Sequence, residues 1–561
     1  MIARRSLSRR DLLRQGAAAS ATFGMASVLG GMANTATARA ALPSAVAGTG
    51  GVDLGLLPTA GDLYRDVKRM VDLGPRLPGN DAHNAFIDWL DRGFQSAGCR
   101  MLPRDDFPFT RWLAERWSLE LLEGPGRGVV PVSAYQPYSG NTSPSGVVGE
   151  LAYLGAVPPL ALSGNPQDVT TLRAAIARLQ SELADWAAAA VAGIPGGVAG
   201  RIVLVDAQTL PLTEKDFAPL TTYAHDPDSS PLDTPNFKRL ALSLIPPANV
   251  FAQAGAAGYI VTLDASAANA AGTYGPYGNP MLAMPGLLID RDTGGELRRH
   301  AQARPKTRLT LTASVEKSST PQLVGILPGD GSTDEVMIVN THTDGQNAFE
   351  ENGGVGLVWL ARYFARLPRG RRLKRSLVFS AVSGHFAGPA LPQTRGFIDR
   401  HPDLVSKAAA SVTVEHLGAS EWVDDARGYH PTGRPDMFVI WHSQTGIAGP
   451  VVESMIANDL RHSIALRPAG DYMIAVGTAF NESGVPTVSS IVAPNYMVSW
   501  ADGGHLDKFM PARAALEVRW AADLITRLDS IPAAQLAAGD SAVLRSGAAC
   551  LPGANSPTCL T

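Results

Sequence analysis

Cysteine is scarce in this chain, and its scarcity excludes one common kind of metal site. Only three cysteines occur among 561 residues, at positions 99, 550 and 559. They form no Cys-x-x-Cys pair, so a thiolate zinc site is not expected. Cys550 and Cys559 lie in a segment rich in proline, glycine and serine, where an oxidising compartment would allow a small disulfide loop. We expect Cys99 to be unpaired and buried.

Charged residues and long hydrophobic runs are sparse as well. Charged residues make up 18% of the chain, and the formal net charge is only -3. This balance gives no basis for nucleic acid or an anionic membrane surface as a partner. After the N-terminal segment, no run is long and apolar enough to span a membrane. The length exceeds that of one compact domain, so two or three domains are expected.

The first 40 residues carry the parts of an export signal in their usual order. An arginine-rich start precedes a weakly apolar stretch of alanine and glycine, and small residues that suit cleavage follow near residue 40. Residues 8–13, Ser-Arg-Arg-Asp-Leu-Leu, resemble a twin-arginine motif. We therefore expect export to the periplasm or the extracellular space, with no membrane span after cleavage. An uncleaved membrane anchor is the alternative, for which the apolar part is short.

The rest of the chain divides into segments of different texture. A linker at residues 41–61 precedes residues 62–124, where we predict two amphipathic helices, the second capped by Asn80 or Asp81, and then strands. Residues 125–320 contain many short strand patterns and one long helix. They contain no set of residues that suggests a catalytic or metal-binding site. From residue 321 to 530 strands and helices alternate, which predicts an α/β fold with a mostly parallel sheet flanked by helices. Residues 531–561 form a tail.

Histidines recur at the ends of the strands that we predict after residue 321. The chain has eleven histidines, and four of them follow buried strand patterns: His342, His385, His416 and His442. Because the carboxyl ends of parallel strands meet at one edge of a sheet, we expect these side chains to converge. Carboxylates accompany them, since Asp344 follows the first histidine closely and Glu415 precedes the third. Such a set is typical of a metal site or an acid–base site.

With these features the chain resembles the M28 family of metallopeptidases, which are co-catalytic zinc aminopeptidases and carboxypeptidases. The likeness covers residues 62–528. It includes Gly-Pro-Arg-Leu-Pro-Gly-Asn at residues 74–80, His342-Thr343-Asp344, which fits the family's His-x-Asp, and the late strand after Gly484. The resemblance implies a three-layer, zinc-exopeptidase-like α/β fold. It also implies that residues 125–320 are an inserted, β-rich protease-associated domain.

Several positions depart from the family's pattern. An aspartate that bridges two zinc ions is expected shortly after His-x-Asp, but Glu350 and Glu351 occupy that loop. The next strand should end in two glutamates, a general base and a ligand, whereas residues 383–385 are Ser-Gly-His. The third strand should end in aspartate, for which Glu415 is the substitute. The late histidine ligand has only the displaced His505 as its counterpart.

These matches imply a set of site residues. One or two zinc ions are expected, with ligands drawn from five side chains: His342, Glu351, His385, Glu415 and His505. Either Glu350 or Glu351 is expected to act as the base, and Asp344 as the catalytic partner of His342. The implied reaction is metal-assisted hydrolysis of a peptide or another small amide.

Two other functions fit parts of the same pattern. A serine hydrolase would use Ser383, which follows a strand, with Asp502 and His505 downstream. The chain lacks the first glycine of the Gly-x-Ser-x-Gly elbow that such enzymes use. A non-catalytic binding protein on the peptidase fold would have the same strand ends without hydrolysis. Nothing in the sequence bears on the oligomeric state.

Overall fold

The computed structural model describes residues 51–124, 126–160, 169–212, 220–226, 237–275, 281–387, 391–443, 446–468 and 473–539. The predicted export signal and the segment with Cys550 and Cys559 lie outside these residues. Cys99 is buried and free, as expected. Among the described helices, none combines the length and the apolar composition that crossing a bilayer requires.

The strands and helices of the described residues are as follows. The strands are β1 (Arg100–Met101), β2 (Asp105–Leu121), β3 (Gly128–Val130), β4 (Ala134–Tyr135), β5 (Val147–Ala156), β6 (Ile202–Asp206), β7 (Gln208–Leu212), β8 (Thr221–His225), β9 (Phe237–Leu244), β10 (Gly258–Thr262), β11 (Gly286–Ile289), β12 (Lys306–Leu327), β13 (Val336–His342), β14 (Ser376–Val382), β15 (Ala408–Val414), β16 (Ser420–Asp425), β17 (Gly428–Pro435), β18 (Phe438–His442), β19 (Ser463–Leu466) and β20 (Thr487–Ile491). The helices are α1 (Ala60–Val71), α2 (Asp81–Ser96), α3 (Val169–Ala192), α4 (Ala248–Gln253), α5 (Ala267–Ala270), α6 (Arg291–Ala301), α7 (Gly353–Arg366), α8 (Gln393–Arg400), α9 (Pro402–Ser406), α10 (Ala448–Ala457), α11 (Thr478–Glu482), α12 (Pro511–Ser530) and α13 (Ala533–Leu536).

Most strands join one sheet in the order β4-β11-β10-β6-β5-β12-β14-β13-β15-β20-β18-β19-β8, with β1, β2 and β3 attached beside it. The central strands β14, β13, β15 and β20 are parallel. The predicted α/β fold, a mixed and mostly parallel sheet flanked by helices, is confirmed. The predicted cap of α2 is confirmed too, since Asn80 Oδ1 accepts from the N–H of His83 at 2.8 Å.

Helices cover both faces of the central strands, which explains their uninterrupted apolar sequences. In β13, Met337 and Val339 belong to the main core, which also contains residues of α1, α2, α7 and α12. Ile338 faces the opposite core, together with Phe397 of α8 and Phe480 of α11. A strand that is buried on both faces needs apolar residues at successive positions rather than at alternate ones. The arrangement has the three layers that the resemblance implied.

Two long strands connect the segment predicted as an insertion to the rest of the sheet. The first residues of β12 pair with β5 and its last residues pair with β14, while β2 pairs with residues 307–322 of the same strand. The predicted domain boundary at residue 320 therefore lies inside a continuous strand. At the far edge of the sheet, β8 from the same segment pairs with β19.

The direction of β18 corrects one expectation about the strand ends. This strand runs antiparallel to β20, which is itself parallel to β15. His442 therefore lies at the opposite rim of the sheet from the other three strand-end histidines. Its ring nitrogens lie 2.8 Å from Thr222 Oγ1 and 3.0 Å from the main-chain oxygen of Ser443. The predicted convergence was wrong for His442, because the composition of a strand does not encode its direction.

Gly353 begins α7 where this helix meets the end of β15. A Cβ atom at this position would lie 2.1 Å from the main-chain oxygen of Val414 and 2.2 Å from Thr341 Oγ1. The absence of a side chain thus allows the helix and the preceding loop to approach the end of β15 closely.

We expect Gly353→Ala to destabilise the protein by roughly 1–3 kcal/mol, because the added methyl group would force the backbone of β15 and α7 apart. Urea unfolding followed by circular dichroism measures the effect. The matched control is Gly370→Ala, since a Cβ atom there meets nothing within 4 Å. Equal unfolding midpoints for the two variants would contradict the close approach.

Candidate metal centre

Three parallel strands end side by side at one rim and deliver four side chains to one buried cluster. His342 is the last residue of β13, His385 follows β14, and Glu415 and His416 follow β15. The chain passes from β13 to β14 on one side and then to β15 on the other side of β13. A crevice forms at the carboxyl end of a strand where such a reversal occurs. Each of the four residues is at most 5% exposed.

The ring of His342 is held with its Nε2 atom available for a ligand. Nδ1–H donates to the main-chain oxygen of Asp344 at 2.9 Å. Nε2 is buried and has no hydrogen-bond partner in the described part of the chain. Burial, together with the nearby rings of His385 and His416, holds the pKa of His342 well below its ordinary value. The ring is therefore neutral, with a lone pair on Nε2.

The rings of His385 and His416 are oriented in the same way. His385 Nδ1 lies 3.2 Å from Gln393 Oε1, and His416 Nδ1 lies 2.6 Å from the main-chain oxygen of Val492. In both rings Nδ1 donates, so a metal ion would bind at Nε2; in His416 this atom lies 3.2 Å from Glu350 Oε2. Metal-bound histidines usually show this arrangement, in which the second nitrogen donates to a carbonyl or carboxylate. Burial also lowers the pKa of His385.

Two glutamates accompany these imidazoles. Glu350 Oε2 lies 3.2 Å from His416 Nε2 and 3.7 Å from His342 Nε2. Glu415 accepts a hydrogen bond from the N–H of Val476 at 3.0 Å. Burial raises the pKa of Glu415 to about 7, against the opposing effects of His416 and Val476.

Five side chains thus form two overlapping groups of potential metal ligands. The members of each group have ligand atoms within 4.8 Å of one another; one group is His342, Glu350 and His385, and the other is His342, Glu415 and His416. Neutral imidazole and carboxylate are ligands that zinc prefers in proteins. The unpartnered Nε2 of His342 and the orientation of the three rings agree with such a role. The residues present therefore fit a divalent metal ion.

Two asparagines fix the loop that carries Glu350. Asn347 Oδ1 accepts from the N–H of Glu350 at 3.2 Å. Asn352 Nδ2 donates to the main-chain oxygen of Leu417, and its Oδ1 accepts from the N–H of the same residue, both at 2.7 Å. Because Leu417 directly follows His416, these bonds set the position of the Glu350 loop relative to that histidine.

Glu351 is engaged by a different partner. It forms a buried ion pair with Arg76 and belongs to neither group of potential ligands. Arg76 also donates to the main-chain oxygens of Met70 at 3.1 Å and Asn347 at 2.5 Å. Its main chain exchanges hydrogen bonds of 2.7 and 2.9 Å with Gly345. The Gly-Pro-Arg-Leu-Pro-Gly segment therefore supports the loop beside the cluster, a role that the sequence did not suggest for Arg76.

Asp344 holds the turn that carries His385. Its carboxylate accepts from the N–H groups of Gly384 at 2.9 Å and Phe386 at 2.6 Å. Burial raises the pKa of Asp344 to about 7. Gly384 has a φ of +103°, and a Cβ atom there would lie 2.4 Å from Leu391 Cβ. One of the two positions at which the resemblance expects a glutamate therefore has no room for a side chain.

His505 and Ser383 lie outside both groups of potential ligands and are not joined to each other. His505 Nε2 lies 2.8 Å from Ser499 Oγ. Ser383 Oγ is buried, donates to the main-chain oxygen of Pro321 at 2.5 Å, and lies 3.0 Å from Thr343 Oγ1. In the described residues no hydrogen bond links Ser383 to a histidine, so the arrangement lacks the nucleophile–base pair of a serine hydrolase.

The sequence assigned no ligand role to His416, which the structure places in one of the two groups. The available signal was its position directly after Glu415 at the end of a predicted strand. Adjacent residues at a strand end often diverge, but His416 has a left-handed backbone, with φ of +55°. Both its side chain and that of Glu415 thereby reach the same group.

Comparison with known proteins identifies relatives of this fold. A scan against protein-family models finds no match, and a search of curated protein sequences finds none either. An aminopeptidase from Aneurinibacillus sp. strain AM-1 is 14% identical, with 85% of this chain and 94% of that chain covered and a TM-score of 0.52. A peptidase M28 precursor from Shewanella amazonensis SB2B is 15% identical, with 84% of this chain and 96% of that chain covered and a TM-score of 0.55. BSAP, a zinc aminopeptidase from Bacillus subtilis, is 14% identical, with 84% of this chain and 94% of that chain covered and a TM-score of 0.50. At these identities the likeness shows the fold.

The charge state of His416 makes metal binding depend on pH. Burial alone would lower the pKa of His416, but the charges of Glu350 and Glu415 outweigh it and raise the pKa to about 9. The ring of the ion-free protein is therefore protonated near neutral pH, and a metal ion has to displace that proton.

We expect the affinity for Zn²⁺ to increase from about pH 7 to about pH 9, with release of roughly one proton or more per ion near neutral pH. Calorimetric titrations in buffers of different ionisation enthalpy count the released protons. A binding enthalpy that is the same in all buffers would contradict the protonated state of His416.

Proposed function

We propose that this chain is a metal-dependent hydrolase of peptide or other amide bonds, related to the M28 metallopeptidases. The orientation of the three imidazoles carries the proposal. His342, His385 and His416 each use Nδ1–H for a hydrogen bond to an acceptor, so a metal ion would bind each ring at Nε2. The fold shared with an M28 precursor and a zinc aminopeptidase supports zinc as the metal, with one or two ions.

The chain's own groups would orient the reaction and accept its proton. Zinc supplies a Lewis acid for the amide carbonyl and lowers the pKa of bound water. Because Ser383 and Gly384 supply no carboxylate where the resemblance expects two glutamates, a cluster glutamate has to serve as the base through an oxygen that does not bind the metal. Glu350 and Glu415 are the two glutamates in the groups of potential ligands. The Arg76–Glu351 pair supports the loop that carries Glu350.

A non-catalytic binding protein is the second candidate, and one observation favours it. The backbone of Gly384 and the proximity of Leu391 exclude the expected glutamate at that position. A site that binds a metal ion and a small ligand without activating water would tolerate the absence of this glutamate.

Metal analysis of the purified mature protein tests the proposal. We expect the wild-type chain to retain zinc after dialysis, and His342→Ala to retain at least about tenfold less, because this residue belongs to both ligand groups. His442→Asn is the matched control, since His442 is also a buried strand-end histidine but lies at the opposite rim. Wild-type protein with no more zinc than His342→Ala would refute the metal-dependent hydrolase.

Hydrolysis of a panel of aminoacyl anilides and short peptides separates the two candidates. An enzyme is expected to lose activity with a chelator and to regain it with zinc. A chain that binds zinc and hydrolyses none of these substrates is a binding protein.

We also propose that the chain is exported to the periplasm or the extracellular space through the twin-arginine motif at residues 8–13. The double variant Arg9→Lys, Arg10→Lys is expected to leave most of the precursor in the cytoplasm of a bacterial host. The matched control is Arg4→Lys, Arg5→Lys, which alters a second arginine pair outside the motif. Cell fractionation and immunoblotting measure the distribution, and normal export of the first variant would contradict the proposal.

A further inference from the structure

His342 limits the number of metal ions that the cluster can hold. Both groups of potential ligands contain this residue, and the described part of the chain contains no such group without it. Each imidazole nitrogen has one lone pair in the plane of the ring. Because Nδ1–H donates to the main-chain oxygen of Asp344, only Nε2 is available. His342 therefore binds a single ion, for which the two groups compete.

The spacing of the inner atoms is that of ligands that share one ion. Zinc bonds of about 2.0–2.2 Å at tetrahedral angles separate neighbouring ligand atoms by about 3.3–3.6 Å. The Oε2 atom of Glu350 lies 3.2 Å from His416 Nε2 and 3.7 Å from His342 Nε2. One carboxylate oxygen thus lies at ligand spacing from imidazoles of two strands. The ring of His385 approaches from the third strand, with its centroid 4.4 Å from that of His342.

The residues that would hold a second ion are absent or engaged elsewhere. Gly384 stands where the resemblance expects a glutamate, and His505 is bonded to a serine. Glu351 is paired with a buried arginine. The remaining candidates, His385 and Glu415, belong to different groups of potential ligands, and each of these groups also contains His342.

We propose that the cluster is a one-ion centre in which His342, His416 and Glu350 hold a divalent ion, with His385 and Glu415 as the further ligands. This inference rests on the proposed function and deepens it. It replaces a carboxylate-bridged pair of zinc ions with one ion on a ligand set rich in imidazole. Such a set favours Zn²⁺, Co²⁺ or Fe²⁺ over Mg²⁺ and Ca²⁺, which prefer oxygen ligands.

Titration with Co²⁺ tests the number of ions. The mature chain is stripped of metal with a chelator, dialysed, and titrated while its visible absorption is recorded; elemental analysis then gives the bound metal per chain. We expect one ion per chain and an absorption change that is complete at one equivalent. Mg²⁺ at the same concentrations is expected to leave the Co²⁺ spectrum unchanged.

Variants show whether all five side chains act on the same ion. His385→Ala and Glu415→Gln are each expected to shift the spectrum of the single ion and to weaken its binding by more than about tenfold. His505→Asn is expected to leave the stoichiometry at one. His442→Asn is the matched control for loss of a buried histidine, and circular dichroism verifies the fold of each variant.

The possible outcomes separate this inference from the proposed function. If the chain binds two ions, and His385→Ala and Glu415→Gln remove different ones, the one-ion centre is refuted. The proposed metal-dependent hydrolase is not affected by that result. Absence of any bound ion would overturn both. If one ion binds and its spectrum in His342→Ala and His416→Ala is the same as in the wild type, the ion lies outside the cluster. That result would also refute the one-ion centre.

Discussion

Three imidazoles lie side by side in the interior of this protein because an acceptor fixes the outer nitrogen of each ring. The acceptors are the main-chain oxygens of Asp344 and Val492 and the side-chain oxygen of Gln393. A buried ring without such a partner would leave a polar N–H unsatisfied, at a cost of about 1–3 kcal/mol. Asp344 and Val492 lie in loops, and Gln393 begins α8. The α/β packing determines the positions of these acceptors, so the fold fixes the orientation of each ring.

Much of this arrangement could be predicted from the sequence, because its parts depend on local patterns. Apolar runs identify the central strands, and alternation with helices predicts that they are parallel, which brings His342, His385 and His416 to one rim. His442 follows a strand of the same composition and lies at the other rim. Strand direction depends on the path of the whole chain, which the residues of a single strand do not reveal.

The choice between Glu350 and Glu351 could not be predicted for a related reason. Adjacent residues in a loop direct their side chains differently, and the partner that engages Glu351 is Arg76, which is 275 positions away along the chain. The close approach at Gly384 likewise depends on Leu391, which belongs to a neighbouring turn. Pairings of this kind are set by tertiary packing, whereas sequence patterns report the local backbone.

The long strands β2 and β12 have a consequence for how the segment at residues 125–320 relates to the rest of the chain. β12 lies between β5 and β14, and β8 covers β19 at the far edge of the sheet. Excision of this segment would bare the hydrogen-bonding groups of β2, which pairs with residues 307–322 of β12, and those of β19. Uncovered edges of this kind template association between chains. The segment is therefore no detachable module, and a truncated chain would expose two surfaces prone to aggregation while its buried histidines stood beside an incomplete sheet.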